Sequence, residues 1–382
     1  MLALQDATHL RSLSHFQTEP IAAFFQACCY DEKVNSKKVT MKTIAVAIAV
    51  FIANMGSVQA QTAPPLTLQR TMPLPGVTGK FDHFAIDIAG NRLFAAATGN
   101  HSVEVIDLAS GKVAQSIGGL GKPHGLAWVG STQSLYVADG SLAELLVYRN
   151  SAESRLEQAG KIKLSDDADD MVYDDAQHLL YVGTGGSNAA NPARIAVVDT
   201  AQFKIVAELP VATHPEALEI DPGSGRIFAN IAESNEIAVV GGNSAIAAEW
   251  KLVNAGDNVP LAYDAEHHVL YVACRAPAML LALDSDSGKE RSRLAIGGGA
   301  DDLFYDAARH RVYVTGGAGQ VDIAQADPQQ GLRSLGTVKT ASGAKTALFV
   351  AAQSLLYVGV PGASGQPAEI RIYSTEPPQG NK

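Results

Sequence analysis

Three histidines occupy comparable places in the chain, each at or near the start of an apolar segment and close to acidic residues. They are His83, His124 and His214, and the acidic residues found at such positions include Asp170 and Asp302. Imidazole and carboxylate groups together can bind a divalent metal ion or act as general acids and bases. Clustered carboxylates also repel one another, which raises some of their pKa values unless a cation is present. These residue types therefore indicate a binding or catalytic site.

The candidate site is larger than these residues because similar segments recur along the chain. Most of its members lie at the starts of the apolar segments, and a few follow the next segment. The set comprises Asp82, His83, His124, Asp139, Asp169, Asp170, His214, Glu216, Asn258, Arg275, Asp301, Asp302 and Lys345. The two cationic side chains could pair with the carboxylates or hold an anionic ligand. A functional and a purely structural interpretation of these residues both stay open. An aspartate in a turn often accepts backbone hydrogen bonds, and a histidine can be purely structural.

An aromatic residue inside an apolar run recurs at an almost constant spacing, and this repeat must position the candidate site. The recurring aromatic residues are Phe94, Tyr136, Tyr181, Phe228, Tyr271, Tyr313 and Tyr357, spaced by 42, 45, 47, 43, 42 and 44 residues. A period in the forties built from short strands is typical of a β-propeller with one four-stranded blade per repeat. The 35 glycines suit the many tight turns of such a fold. We predict an all-β fold, a seven-bladed β-propeller of four-stranded antiparallel blades.

The order of strands within each repeat predicts where the candidate residues meet. We expect residues 61–375 to form the propeller, with blades at about 81–119, 121–165, 166–211, 212–254, 255–297, 298–340 and 341–375. A strand at Leu66 to Met72 precedes the first blade, so we expect it to complete the last blade and remove an exposed sheet edge. The inner strand of an antiparallel blade begins where the second strand ends. The candidate side chains should therefore converge at the mouth of the central channel.

The N-terminal region carries the pattern of a secretion signal. Residues 41–60 combine Lys42, an apolar run from Thr43 to Met55, and Val58-Gln59-Ala60, which matches a signal-peptidase site before Gln61. We expect a periplasmic or secreted protein, with residues 1–40 an extension from a wrongly assigned start codon and residues 376–382 a disordered tail. The apolar run is too short for a comfortable transmembrane helix, so no membrane span is expected after cleavage.

Charge and cysteine content restrict the possible partners. The net charge of −10 argues against nucleic-acid binding, which requires a basic surface. Only Cys274 remains after residue 60, so the mature chain has no intramolecular disulfide. We expect a monomer whose partner is a small molecule or a protein bound at the channel mouth. The cofactor is unknown, with a divalent metal ion as one possibility.

The repeats resemble a known family in their strand phrases. Tyr-Val phrases, and a strand ending Val105-Ile106-Asp107 followed by Ser110-Gly111-Lys112, resemble the surface-layer-type YVTN β-propeller repeat family. The resemblance spans about residues 66–375 and implies the propeller fold of exported bacterial proteins. It implies little about activity, because members of this family are mostly of unknown function. No copy reads Tyr-Val-Thr-Asn, and Tyr313-Val314-Thr315-Gly316 comes closest.

Three functions are compatible with the sequence. The favoured hypothesis is an exported propeller that binds a small molecule, metal ion or partner at the channel mouth. The second is a metal-assisted hydrolase or lyase at the same mouth, by analogy with propellers of the gluconolactonase and virginiamycin B lyase type. The third is a purely structural or protein-interaction propeller, which applies if the mouth is internally salt-bridged. No CxxC, HExxH or CxxCH motif distinguishes among them.

Overall fold

Short apolar strands separated by polar turns dominate the chain, as the repeat predicts. A computed structural model describes residues 64–186, 190–242, 244–363 and 365–376. The predicted extension, the signal peptide and nearly all of the predicted tail lie outside these residues. Within them the chain forms 28 strands, β1 to β28, and three short 3-10 helices at Thr98–Asn100, Ala232–Ser234 and Ala351–Gln353. No helix in this part of the chain is both long and apolar enough to cross a membrane.

The first strand, β1 (Thr67–Leu74), precedes four complete blades. Blade 1 contains β2 (Phe84–Asp87), β3 (Arg92–Ala97), β4 (Ser102–Asp107) and β5 (Lys112–Ile117). Blade 2 contains β6 (Pro123–Val129), β7 (Ser134–Asp139), β8 (Glu144–Asn150) and β9 (Leu156–Lys163). Blade 3 contains β10 (Ala168–Asp174), β11 (Leu179–Thr184), β12 (Arg194–Asp199) and β13 (Lys204–Pro210). Blade 4 contains β14 (Pro215–Asp221), β15 (Arg226–Ile231), β16 (Glu236–Gly241) and β17 (Ala245–Lys251).

Three further blades complete the fold. Blade 5 contains β18 (Asn258–Asp264), β19 (Val269–Arg275), β20 (Ala278–Asp284) and β21 (Glu290–Ala295). Blade 6 contains β22 (Ala300–Asp306), β23 (Arg311–Gly316), β24 (Gln320–Asp327) and β25 (Gly331–Lys339). Blade 7 contains β26 (Ala347–Val350), β27 (Leu355–Val360) and β28 (Ala368–Ser374), and its fourth strand is β1. The predicted seven-bladed, four-stranded antiparallel propeller is confirmed.

Blade 7 joins the two ends of the propeller. Strand β1 pairs antiparallel with β28, from Thr67 opposite Ser374 to Leu74 opposite Ala368. The inward-facing Met72 and Leu74 are buried in an apolar cluster that also contains residues of blade 1. The backbone hydrogen bonds of the last sheet and the packing against the first are thus supplied by the same strand.

The recurring aromatic residues form the contacts between neighbouring blades. Each of them is at most 4% exposed and packs in a cluster with apolar residues of the following blade. Phe94 of blade 1 packs with Leu126 of blade 2, and Tyr181 of blade 3 packs with Leu218 of blade 4. Tyr357 of blade 7 packs with Phe84 of blade 1, which closes the circle of contacts. The period in the sequence therefore arises because each repeat supplies one aromatic residue to the contact with the following blade.

Truncation of a buried leucine in the closing strand should destabilise the propeller. Leu74 is fully buried, so Leu74→Ala removes apolar contacts and leaves a cavity at the junction of blades 7 and 1. We expect a loss of about 2–5 kcal/mol in the free energy of unfolding, measured by urea denaturation. The matched control is Leu68→Ala in the same strand, where Leu68 is 50% exposed. Equal destabilisation by both variants would contradict the packing role of this strand.

Candidate functional site

The starts of the inner strands carry the candidate residues, and a common irregularity orients them. Strands β6, β10, β14, β18 and β22 each shift register against their neighbour within the first few residues. Such a bulge breaks the alternation of side chains and can redirect them next to a functional site. As a result, the adjacent residues Asp169 and Asp170 are both partly buried and both contact His83. In a regular strand these two adjacent side chains would point to opposite faces of the sheet.

A polar cavity of about 150 Å³ lies where these strand ends converge. Its wall includes at least one residue from each of the seven blades. The lining residues are Lys80, Asp82, His83, His124, Asp169, Glu216, Ala217, Val259, Arg275, Asp301 and Lys345. We call this space the mouth cavity. It is concave and rich in charged side chains, as small-molecule and ion sites commonly are.

His83 lies at the centre of four carboxylates. Its Nε2 is 3.7 Å from Asp82 Oδ1 and 4.0 Å from Asp169 Oδ1. On the other side of the ring, Nδ1 is 3.7 Å from Asp170 Oδ1 and 3.9 Å from Asp302 Oδ1. All four distances exceed those of hydrogen bonds, so the imidazole is held by charge without a short partner.

A second histidine, His124, is buried beside the same carboxylates. Its Nδ1 lies 2.5 Å from Asp82 Oδ2 and 3.3 Å from Asp169 Oδ1. Nδ1 is thus paired with Asp82, whereas Nε2 has no partner among the described residues, although the side chain is only 6% exposed. His214 Nε2 donates to Asp169 Oδ2 at 3.0 Å. We refer to Asp82, His83, His124 and Asp169 as the His83 cluster.

A basic pair lies on another part of the cavity wall. Arg275 Nη2 and Lys345 Nζ are 2.6 and 2.7 Å from the same oxygen, Oδ1 of Asp301. The Arg275 Nε also donates to the carbonyl oxygen of Ala300 at 2.7 Å, which fixes the guanidinium plane. Blades 5, 6 and 7 are thereby linked through one carboxylate.

The charges of the site shift its pKa values strongly. Burial alone would lower the pKa of His83, but Asp170, Asp82 and Asp302 raise it to about 10. Burial raises the pKa of Asp302 to about 7 against the opposing charge of His83. For Asp82, the effect of burial is outweighed by His124 and His83, which hold the pKa well below its usual range. His83 and Asp82 therefore each stabilise the charged form of the other.

Not all predicted residues line the cavity. Asp170 and Asp302 lie behind His83, and each accepts a backbone hydrogen bond from the next blade, from Leu218 N at 3.0 Å and Ala347 N at 2.6 Å respectively. His214 lies behind Asp169. These three side chains support the cavity wall from outside the lining.

Two predicted residues have structural surroundings only. Asp139 is fully buried and accepts hydrogen bonds from the backbone of Gly121 and Lys122 at 2.7 and 2.9 Å. Asn258 is also fully buried and donates to Asn230 Oδ1 and to the Glu236 carbonyl. Asp139 ends β7 and Asn258 begins β18, and neither lines the cavity.

Lys80 lines the cavity but is not among the residues predicted from the sequence. It precedes the first inner strand, so a prediction based on strand starts does not include it. Its position immediately before Phe81-Asp82-His83 was the available signal.

A glycine permits the close approach of blades 2 and 3 at the site. A Cβ on Gly125 would lie 2.3 Å from the carbonyl oxygen of Asp169 and 3.1 Å from Cα of Asp170. Backbone atoms cannot move aside as a flexible side chain can. The absence of a side chain next to His124 therefore allows this histidine to reach the carboxylates of blade 3.

An acidic side chain of blade 4, Glu219, should make stability depend on pH. Burial raises the pKa of Glu219 to about 7, with a smaller contribution from Asp170. The folded-state pKa lies above the unfolded value. The free energy of unfolding is therefore highest at low pH and falls as the pH rises through about 7. The maximum effect is about 3 kcal/mol.

The variant Glu219→Gln should therefore gain thermal stability relative to the parent between pH 5 and pH 8. The gain should be a few degrees in melting temperature, measured by calorimetry at both pH values. The control is Glu208→Gln, which changes an exposed glutamate of blade 3. A pH-independent difference for Glu219→Gln would show that this carboxyl ionises normally in the folded protein.

Comparisons with known proteins identify the fold alone. No protein-family profile and no characterised protein sequence matches the chain. Among solved structures, a chain of Kuenenia stuttgartiensis hydrazine synthase is 16% identical with a TM-score of 0.64, covering 76% of this chain and 95% of its own. A chain of the mitotic checkpoint complex is 13% identical with a TM-score of 0.66, covering 81% of this chain and 96% of its own. At such identities the similarity extends to the propeller architecture and not to a function.

Proposed function

We propose that the protein binds a small, negatively charged organic molecule in the mouth cavity. The observation that carries this proposal is a cavity of about 150 Å³ lined by all seven blades, with Arg275 and Lys345 in its wall. A cavity of this volume accommodates a molecule of about six non-hydrogen atoms, the size of benzene. Its charged lining favours a polar ligand.

The basic pair has unused capacity for hydrogen bonding. Arg275 donates through Nε and Nη2, and a guanidinium carries five N–H donors. Among the residues that the structure describes, Lys345 donates to Asp301, and an ammonium carries three donors. Both side chains line the cavity, so a carboxylate or phosphate there would receive charge-assisted hydrogen bonds.

A purely structural mouth is the alternative, and part of the mouth is internally salt-bridged, through Asp301 with the basic pair and through His124 with Asp82. This explanation would require all the polar groups to satisfy one another. His124 Nε2 has no hydrogen-bond partner among the described residues, and the ring nitrogens of His83 stay 3.7 Å or more from every carboxylate given above. Buried polar groups are normally satisfied. The incomplete pairing favours a ligand.

A metal-assisted hydrolase or lyase is the second candidate function. Asp82, His83 and Asp169 offer atoms that all lie within 4.8 Å of one another, next to the cavity. A cation there would polarise a lactone or ester carbonyl, while a nearby histidine would transfer the proton. Turnover of a small lactone or ester by the full chain, lost in His83→Gln, would support this function.

We further propose that the protein is exported and belongs with the YVTN-type propellers. The signal-like residues 41–60 and the Tyr-Val phrases support this proposal. In a bacterial host, the mature N-terminus determined by mass spectrometry should be Gln61. Ala60→Leu should block cleavage and leave a longer, membrane-associated chain, since signal peptidase requires a small residue there. An unprocessed parent chain in the cytoplasm would overturn the proposal.

Removal of either basic side chain should weaken anion binding. Lactate and inorganic phosphate are suitable probes, titrated calorimetrically into full-length protein freed of metal by dialysis. Arg275→Gln and Lys345→Gln should each raise the Kd about tenfold or more, because each removes a charge-assisted hydrogen bond.

The matched control is Arg291→Gln. Arg291 also pairs with an aspartate, Asp284 at 2.8 Å, and is 35% exposed compared with 30% for Arg275, but it does not line the mouth cavity. Its variant should bind both probes as the parent does. Failure of the parent to bind any small carboxylate or phosphate, or equal losses in all three variants, would refute the proposed anion site.

A further inference from the structure

We infer that the His83 cluster is a binding site for a first-row divalent transition metal ion such as Zn²⁺. The inference rests on the proposed function in that it concerns the same mouth cavity, and it names a second, cationic occupant. The ligands would be Asp82, His83 and Asp169, with His124 adjacent.

The spacing of the donor atoms fits one shared ion. Two ligand atoms bound to one ion at 2.0–2.2 Å with tetrahedral angles lie about 3.4 Å apart. His83 Nε2 is 3.7 and 4.0 Å from the oxygens of Asp82 and Asp169. His124 Nδ1 is 3.3 Å from the same Asp169 oxygen. The two distances from His83 exceed those of hydrogen bonds and are somewhat longer than the separation of two ligands on one ion, so the ion would draw these groups together. His124 Nδ1 is paired with the other Asp82 oxygen, Oδ2, at 2.5 Å, so His124 lies beside the proposed ion.

A second, independent observation comes from His124. Its side chain is 94% buried, with an exposure of 6%, and it points Nδ1 at the carboxylates of Asp82 and Asp169. Nδ1 is held in a close ion pair with Asp82, whereas Nε2 has no hydrogen-bond partner among the residues described. A buried imidazole with one nitrogen unsatisfied, beside a group of carboxylates, is the arrangement expected where a ligand is bound.

The surroundings of His83 supply the outer contacts that metal-binding histidines need. Its Nδ1 faces Oδ1 of Asp170 and of Asp302, while Nε2 faces the proposed ion. The other oxygen of each carboxylate is held by a backbone amide, of Leu218 and of Ala347. A carboxylate on the far side of the ring orients a ligand histidine and selects its tautomer. Asp170 and Asp302 are thus positioning residues.

The donor types select among metals. Imidazole nitrogen favours Zn²⁺, Fe²⁺, Co²⁺ or Ni²⁺, whereas Ca²⁺ and Mg²⁺ prefer oxygen ligands alone. A mixed set of one or two imidazoles and two carboxylates therefore predicts binding of Zn²⁺ and Co²⁺ in preference to Ca²⁺. The cavity beside the cluster leaves room for water or a small ligand on the ion.

The first test measures Zn²⁺ and Co²⁺ binding to the full chain by calorimetry, with the Co²⁺ visible spectrum as a second readout. We expect one ion per chain. His83→Gln and Asp82→Asn should each weaken the affinity about 100-fold or more and alter the Co²⁺ spectrum. Asp170→Asn should weaken it about 10- to 100-fold while binding persists, since outer contacts have effects of that size. A purely structural role for Asp170 would lower the melting temperature and leave metal affinity unchanged.

The matched control is His267→Gln. His267 has the same 24% side-chain exposure as His83 and also pairs with an aspartate, Asp264 at 2.9 Å, but it lies beyond the opposite end of its inner strand. Its variant should bind metal as the parent does. Absence of binding in the parent, or undiminished binding in His83→Gln, would overturn the inference. So would a loss in His267→Gln equal to that in His83→Gln.

A measurement without variants guards against misfolding. The anomalous peak of Zn²⁺ in crystals of the protein should lie 2.0–2.2 Å from His83 Nε2 and from one oxygen each of Asp82 and Asp169. A peak elsewhere would overturn the inference. Loss of metal binding with retained lactate binding would refute the metal site alone, and the reverse pattern would refute the anion site alone.

Discussion

The packing of one aromatic side chain per blade against the next blade is the contact on which the rest of the molecule depends. Sheets of four strands cannot bury both faces alone, and the seven clusters of apolar residues lie between neighbouring sheets. Tyr181 and Tyr313, both fully buried, are representative. Because every blade is fixed by two such contacts, the inner strands have little freedom to move apart. The side chains at their ends are therefore held in a rigid ring.

The rigidity of that ring explains how like charges can remain close together. Asp82, Asp169, Asp170 and Asp302 approach one imidazole, and the repulsion among the carboxylates is opposed by interblade packing and by His83. Two of these carboxylates also accept backbone hydrogen bonds from the next blade. The site and the scaffold consequently share interactions. A change in one interblade contact should therefore alter the positions of the carboxylates around His83.

The repeat made the fold predictable, since a single aromatic position recurs for a single physical reason. The convergence of strand starts also predicted the neighbourhood of His83, His124 and Asp169. Which of two adjacent residues faces the cavity was not predictable, because a bulge at the start of the inner strand removes the two-residue alternation. Asp139 and Asn258 lie at the predicted ends of their strands, yet both are fully buried and outside the cavity wall.

The pairing of β1 with β28 gives the propeller an order of assembly. Thr67 and Ser374 are 307 residues apart, so this pairing closes the longest loop that the described sheets contain. Long-range pairing of this kind forms slowly, because loop-closure entropy must be overcome first. During synthesis β1 is made first and stays unpaired until β28, the last strand, has been made. Blades 1 and 7, which carry His83 and Lys345, come together only then. Ligand binding at the mouth cavity would therefore indicate that the propeller is closed.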